Sequence, residues 1–202
     1  MELYFENVQN IEFKITTDGG IITVDWGDAT INNNLSHNYG SSYTGIVKIT
    51  ITGASYILFG HDWDKMTGID KLVRVDTFGN IPISRLANAF NGASNLIIVP
   101  LDLPITVTDL RATFFDAKNF NDSNIGSWNV SNVINMNATF YNATNFNGNI
   151  SNWDTSNVIF MNAMFLGASN FNGNINSWNT SNVGTMQGMF INASNINQDL
   201  NN

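Results

Sequence analysis

Trp128, Trp153 and Trp178 are 25 residues apart, and so are Val133, Val158 and Val183, Met136, Met161 and Met186, and Phe140, Phe165 and Phe190. A period of this size marks a solenoid, in which each repeat is one coil that cannot bury its apolar face alone. A chain built this way is mostly surface, which favours binding or assembly over catalysis. The Phe140 position recurs backwards at Phe114 and Phe90, the Val133 position at Val107 and Ile83, and the Met136 position at Leu110 and Leu86. Five coils are therefore recognisable from about residue 83. The first two diverge, with Leu96-Ile-Ile-Val-Pro100 standing where later coils read Phe-Asn-Gly-Asn-Ile. Leu72-Val-Arg-Val-Asp76 reads as a degenerate earlier coil, and Tyr56-Ile-Leu-Phe59 as a joining strand.

The residues before the repeats read differently. Ile11-Glu-Phe-Lys-Ile15 and Ile22-Thr-Val-Asp-Trp26 alternate apolar and polar residues, and Ile46-Val-Lys-Ile-Thr-Ile51 nearly does. This is the strand pattern. Asp18-Gly-Gly20 predicts a hairpin turn between the first two strands. The expected core of this unit is Phe13, Ile15, Ile22, Val24, Trp26, Tyr43, Val47, Ile49 and Ile51. The division is thus a small antiparallel β unit over 1–55 and a repeat solenoid over 56–202. No Pro/Gly/Ser linker separates them, so a continuous core is expected.

Within a coil, Phe-Asn-Gly-Asn-Ile-x-x-Trp predicts a short extended piece. Thr-Ser-Asn-Val-x-x-Met-x-x-Met-Phe places apolar residues at i, i+3, i+6 and i+7, which predicts about two helical or 3₁₀ turns with the preceding Ser or Thr as N-cap. The fold class is therefore mainly β with short helices. Equivalent residues should form ladders along the stack, among them Asn95, Asn119, Asn145, Asn170 and Asn195. Such asparagines are suited to satisfying backbone groups at a turn that every coil must make.

Charge is scarce and unevenly placed. Charged residues are 12% of the 202-residue chain, and from Asn119 onward there is no Lys, Arg or Glu. The net charge of −8 argues against a nucleic-acid partner and against an anionic membrane surface. There is no cysteine, which removes disulfides and thiolate metal sites. Met1-Glu-Leu-Tyr-Phe-Glu-Asn is not a signal peptide, and no apolar run approaches the roughly 20 residues of a membrane helix. Export would then need a longer precursor or another route, such as a virus particle.

Phe146-Asn-Gly-Asn-Ile150, Trp153-Asp-Thr-Ser-Asn-Val158, Met161, Met164-Phe165 and the parallel run from Phe171 to Phe190 closely resemble the BspA-like leucine-rich-repeat surface proteins, whose 25-residue repeats also occur in mycoplasma-type lipoproteins. The resemblance covers about residues 83–202. It implies a right-handed solenoid with strands on one side and short helices on the other, and adhesion or binding at a cell surface, with no catalytic residues. Val24-Asp-Trp-Gly-Asp-Ala-Thr30, His37-Asn-Tyr39, Tyr43 and Val47-Lys-Ile-Thr-Ile-Thr52 resemble part of a PKD-type β-sandwich, with Ala29 where that family usually has glycine.

The search for chemistry returns little. His37 falls in the His-x-Tyr pattern and is expected to pack and hydrogen-bond. His61 with Asp62 and Asp64 lacks further ligands at metal-site spacing. Asp18, Asp25 and Asp28 are expected as turn acids rather than a calcium site. No nucleophile elbow is present, so the expectation is a non-enzyme without cofactor or metal. The sequons at Asn121, Asn129, Asn137, Asn142, Asn149, Asn179 and Asn192 arise readily by chance in so Asn-rich a chain. The Trp128, Trp153 and Trp178 ladder could stack on sugar rings, although packing between coils is the plainer reading.

Ile196-Asn-Gln-Asp-Leu200 starts another coil that is not completed, leaving Phe190 and Ile196 near an open end. Two readings follow. One is a surface-exposed recognition or adhesion protein that binds a partner protein or glycan through amide- and hydroxyl-rich rows. The other is a structural component of a phage or virus particle, with a homo-oligomer as one form. The candidate partner-binding residues are Phe190, Ile196, Leu200, Trp128, Trp153 and Trp178.

Overall fold

The computed structural model describes residues 1–16, 22–41, 43–52, 57–59 and 65–199, with 15–16 and 57–59 described through their backbone alone. It is mainly β. The strands are β1 (Glu2–Glu6), β2 (Asn10–Glu12), β3 (Ile15–Thr16), β4 (Thr23–Asp25), β5 (Ile31–Asn32), β6 (Ser36–Asn38), β7 (Ile46–Thr52), β8 (Ile57–Phe59), β9 (Leu72–Thr77) and β10 (Ile83–Arg85). Among the described residues the only helical turns are 3₁₀, at Ile69–Lys71 and Ser123–Ser127.

The N-terminal sheet has the order β5-β4-β7-β1-β9, with every neighbour antiparallel. Its interior strand β1 escapes the alternation rule because Glu2-Leu-Tyr-Phe-Glu6 has aromatic residues on both faces. Leu3 and Phe5 point into the core. Tyr4 lies outside, covered by the Arg74 guanidinium 4.0 Å from its ring centroid. The expected core residues Phe13, Ile22, Val24, Trp26, Val47, Ile49 and Ile51 are buried, and Tyr43 packs against them partly buried.

The predicted hairpin is corrected. Residues 17–21, with Asp18-Gly-Gly20, lie outside the described residues, and the strands on either side pair elsewhere. β2 pairs with β6, β3 with β8, and β4 with β5 and β7. Ile11–Ile15 is thus two short strands serving two sheets.

Two strands tie this unit to the repeats. β8 runs antiparallel to β3 and parallel to β10, the joining role expected of it. β9 pairs antiparallel with β1, and on its other side Val75 N–H donates to Ile98 O (3.0 Å) and Val73 O accepts from Ile97 N–H (3.0 Å). Beyond it, single parallel bridges link Arg85, Asp109, Asn135, Phe160 and Thr185 in turn. One continuous cluster of buried residues runs from Met1 to Met189.

The helical stripe is also corrected, and the reason is local. Met136, Ala138, Phe140 and Asn142 donate their N–H groups to the carbonyls of Phe160, Asn162, Met164 and Leu166 in the next repeat. The residues between them turn back, Thr139 to Met136, Tyr141 to Ala138 and Ala143 to Phe140. An α-helix would direct all these donors within the segment; here alternate donors cross to the neighbour. The alternation requires two left-handed residues four apart in each repeat: Ala112 and Asp116 (φ 53° and 55°), Ala138 and Asn142 (both 53°), Ala163 and Gly167 (52° and 72°). Apolar spacing of three and four therefore arises from tandem turns rather than a helix. The expected Ser/Thr N-cap is replaced by an Asx turn, in which Asn129, Asp154 and Asn179 each accept from the N–H two residues on.

The interior is filled by aromatic columns. Phe114, Phe140, Phe165 and Phe190 stack at successive centroid distances of 5.5, 5.5 and 5.7 Å. Phe120, Phe146 and Phe171 stack beside them at 5.9 and 5.8 Å. Each fully buried ring contributes about 1.5–3 kcal/mol of burial free energy, so a chain almost without ion pairs in this region still has a driving force.

Candidate recognition surfaces

The tryptophan ladder faces inward. Trp128, Trp153 and Trp178 are 2%, 3% and 8% exposed. Their indole N–H groups donate to Pro100, Ile125 and Ile150 carbonyls of the preceding repeat at 2.9, 3.0 and 3.1 Å. Trp153 and Trp178 stack at 6.2 Å. Trp128 and Trp153 therefore offer no free face for a sugar ring. Trp178 differs. With Ile175, Thr180, Met186, Met189 and Phe190 it lines a cavity of about 140 Å³ on the side away from Trp153. Phe190 and Ile196 are partly buried against the core at this end, and Leu200 lies outside the described residues.

The amide rows are largely engaged along the stack. Asn121, Asn147 and Asn172 each accept, through Oδ1, the backbone N–H of Asn147, Asn172 and Asn197 at 2.8, 2.9 and 2.9 Å. Asn132, Asn157 and Asn182 donate Nδ2 to Ile105, Ser131 and Ser156 carbonyls at 2.9, 2.8 and 2.7 Å. In the row singled out from sequence, Asn95 donates to Asp70 O and Asn145 to Asn119 Oδ1. These side chains complete the hydrogen bonding of the turns, so part of their capacity is already taken along the stack.

A different surface stands out, at the divergent second coil. Ile97, Ile98, Leu101 and Ile105 are 53%, 37%, 60% and 57% exposed. Later coils carry Asn121, Asn147 and Asn172 in the place of Ile97. Beside these apolar side chains runs a groove of about 560 Å³ between residues 75–80 and 98–104, with Asp76 and Asp102 on its walls. Ile134, Ile159, Phe160 and Ile191 are exposed apolar side chains as well, but four such residues within nine positions, one of them where later repeats carry amides, concentrate apolar surface on this coil, and such concentration marks an interaction site more often than single exposed residues do. The sequence shows the divergence of Leu96-Ile-Ile-Val-Pro100 but not that these side chains are exposed.

The polar clusters of the β unit are structural turns. His37 stacks on Trp26 (5.1 Å) and its Nε2 lies 2.7 Å from Asp28 Oδ2. Asp25 and Asp28 accept the N–H groups of Gly27 and Thr30. Burial works to raise the Asp28 carboxyl, but hydrogen bonds from His37 and Thr30 outweigh it and hold Asp28 below the usual carboxylate range. Tyr39 donates its hydroxyl to Trp26 O at 2.8 Å, and burial pushes its ionisation well above the ordinary tyrosine value. Asp18, His61, Asp62 and Asp64 lie outside the described residues. Among the described residues no three His, Asp or Glu side chains converge as a metal site, and no helix is long and apolar enough to cross a membrane.

The geometry defines a mainly-β repeat protein whose repeats are joined by parallel backbone bridges. Residues 108–202 of the chain match the model of a family described as Mycoplasma protein of unknown function, DUF285. The match begins at Thr108, one residue before the bridge position Asp109. No curated protein and no solved structure matches the chain.

Proposed function

We propose that the chain is a non-catalytic, surface-exposed recognition protein, a right-handed leucine-rich-repeat-type solenoid continuing from a PKD-like β unit, and that it binds a partner protein. The observation that carries this reading is the apolar patch of Ile97, Ile98, Leu101 and Ile105 beside the groove at 98–104. The match of residues 108–202 to a mycoplasma family supports a surface setting, since the family resembled by the repeat string is one of surface proteins. The amide rows give a glycan less to hold, because coil-to-coil bonds occupy one side of each asparagine. Nothing in the fold or the comparisons favours a particle component.

The test is binding of the chain to an array of extracellular proteins and glycans, set against a Leu101→Ser/Ile105→Ser variant. Both side chains are exposed, so the variant should fold with stability within about 0.5 kcal/mol of the parent. We expect at least a tenfold loss of binding to protein ligands. Equal binding by parent and variant, or no binding by either at high concentration, would overturn the proposal.

A further inference from the structure

The chain has three Asn-Gly dipeptides, Asn91-Gly92, Asn147-Gly148 and Asn172-Gly173. The last two are dictated by the fold. Asn147 and Asn172 supply the Oδ1 atoms that accept the N–H groups of Asn172 and Asn197, both at 2.9 Å. The residue after each has to be glycine for a separate reason. A Cβ on Gly148 would lie 2.9 Å from the Phe146 ring, and one on Gly173 would lie 2.8 Å from the Phe171 ring. The asparagine row and the phenylalanine column thus set next to each other the two residues most prone to react through their amides. With no Cβ to shield it, a glycine nitrogen reaches the Cγ of the asparagine before it more easily than any other residue's does.

The structure separates the three sites. Asn91 is 2% exposed, and Gly92 donates its N–H to Phe115 O at 2.7 Å. Ring closure there would break a backbone hydrogen bond and move a buried side chain. Asn147 and Asn172 are exposed. Among the described residues neither Gly148 nor Gly173 donates its N–H, so no such bond is lost when the nitrogen turns onto Cγ. The donors already seated at Oδ1 lie where negative charge gathers during the attack, which lowers its barrier. Asn172 has two of them, because Gln198 Nε2 also lies 2.9 Å from its Oδ1. Gly173 is half-buried where Gly148 is buried.

We propose that Asn147 and Asn172 are sites of spontaneous deamidation in the folded chain, with Asn172 the faster. The glycine nitrogen bonds to the asparagine Cγ and gives up its proton to solvent, the Cγ–Nδ2 bond breaks, and the nitrogen leaves as ammonia. Water then opens the succinimide at either carbonyl, giving aspartate or isoaspartate. One water is taken up and one ammonia released, with no change of oxidation state. The aspartate product keeps an acceptor for the next repeat's N–H. The isoaspartate product lengthens the main chain and withdraws that acceptor. Either way a negative charge enters a row of amides in a stretch whose only acids, from Asn119 onward, are Asp122, Asp154 and Asp199. This modification is independent of the groove at 98–104.

The folded full chain is incubated at mildly alkaline pH and, in parallel, unfolded in urea. Both samples are digested under acidic conditions and the peptides resolved by mass and chromatography into asparagine, aspartate and isoaspartate forms. In the folded chain we expect Asn172 and Asn147 to convert at least about tenfold faster than Asn91, the cost of the Gly92 bond being felt in the rate. In urea the difference should vanish. Asn147 and Asn172 unchanged in the folded chain while they react in urea, or Asn91 keeping pace with them in the folded chain, would overturn the proposal. So would a difference that persists in urea, since it would then belong to local sequence and not to the fold.

Discussion

Trp153 donates its indole N–H to the carbonyl of Ile125, 28 residues earlier and 3.0 Å away, while the same carbonyl accepts the backbone N–H of Trp128 at 3.3 Å. The indole is therefore both a wall of the core and a rivet between two repeats. The two roles separate by substitution. Trp153→Phe retains most of the buried ring but loses the bond, and because Ile125 O keeps one partner the cost should be about 1–2 kcal/mol. Trp153→Ala also opens a cavity and should cost about 3–5 kcal/mol. Urea unfolding midpoints of the two variants check this; equal losses would mean the bond contributes nothing.

Gly167 and Ala163 share the left-handed conformation but not its consequences. A Cβ on Gly167 would overlap Asn142 Oδ1 of the preceding repeat, whose position is held by its own bond to Asp116. Gly167→Ala should therefore cost about 2 kcal/mol or more, combining the left-handed penalty of about 1–2 kcal/mol with the overlap. Ala163→Gly removes that penalty but adds unfolded-chain freedom of about 0.5–1 kcal/mol, and should leave the stability nearly unchanged. Thermal midpoints decide, and a clear loss in Ala163→Gly would show that its methyl packing outweighs backbone strain.

Asn162 Oδ1 accepts the N–H of Gln187 at 2.8 Å and the hydroxyl of Thr185 at 2.6 Å. Both bonds need an acceptor and neither needs the amide nitrogen. Asn162→Asp should then stay within about 0.5 kcal/mol of the parent, while Asn162→Ala should lose about 0.5–1.5 kcal/mol by removing the part-buried bond from the Thr185 hydroxyl together with the exposed one from Gln187 N–H. Hydrogen exchange at the Gln187 amide is the local readout. Faster exchange is expected in the alanine variant alone, and equal protection in both would remove the asparagine from the joint.

Periodicity made the repeats legible because Phe140, Phe165 and Phe190 must stack at a fixed step, and one identity at one spacing can have few other causes. It could not reveal how the backbone passes between them. Val133, Met136 and Phe140 have helical spacing, yet tandem turns with left-handed residues every four positions give the same inward set. The signal that could have told them apart was Gly188 inside one supposed helix and Gly167 just past the end of another, with Asn142 and Asn192 at the place Gly167 occupies. β1 was hidden for the opposite reason: Tyr4 looks like a core residue, but its ring serves as a platform for Arg74 on the outer face. The Ile97–Ile105 patch was visible as letters. Its meaning required knowing that Asn121, Asn147 and Asn172 are the structural norm at the position Ile97 occupies.

The Asp28–His37 pair fixes the direction in which acid acts on the β unit. Hydrogen bonds from His37 and Thr30 hold the folded Asp28 carboxyl below its ordinary value despite partial burial. A group depressed in the folded state contributes stability fully above its unfolded pKa, about 3.9 for aspartate, and loses that contribution as the pH falls through the folded value. The thermal midpoint should therefore drop as the pH is lowered from about 4. Asp28→Asn, which cannot titrate, should start lower at neutral pH and fall less steeply. Its Trp26 packing should survive, since the Trp26 indole is held by Asn32 Oδ1 at 3.1 Å and not by Asp28. Melting curves across the acid range compare the slopes. Parallel slopes for the two proteins would mean that the contact, although 2.7 Å long, adds no net stability, as solvent-exposed ion pairs often do not.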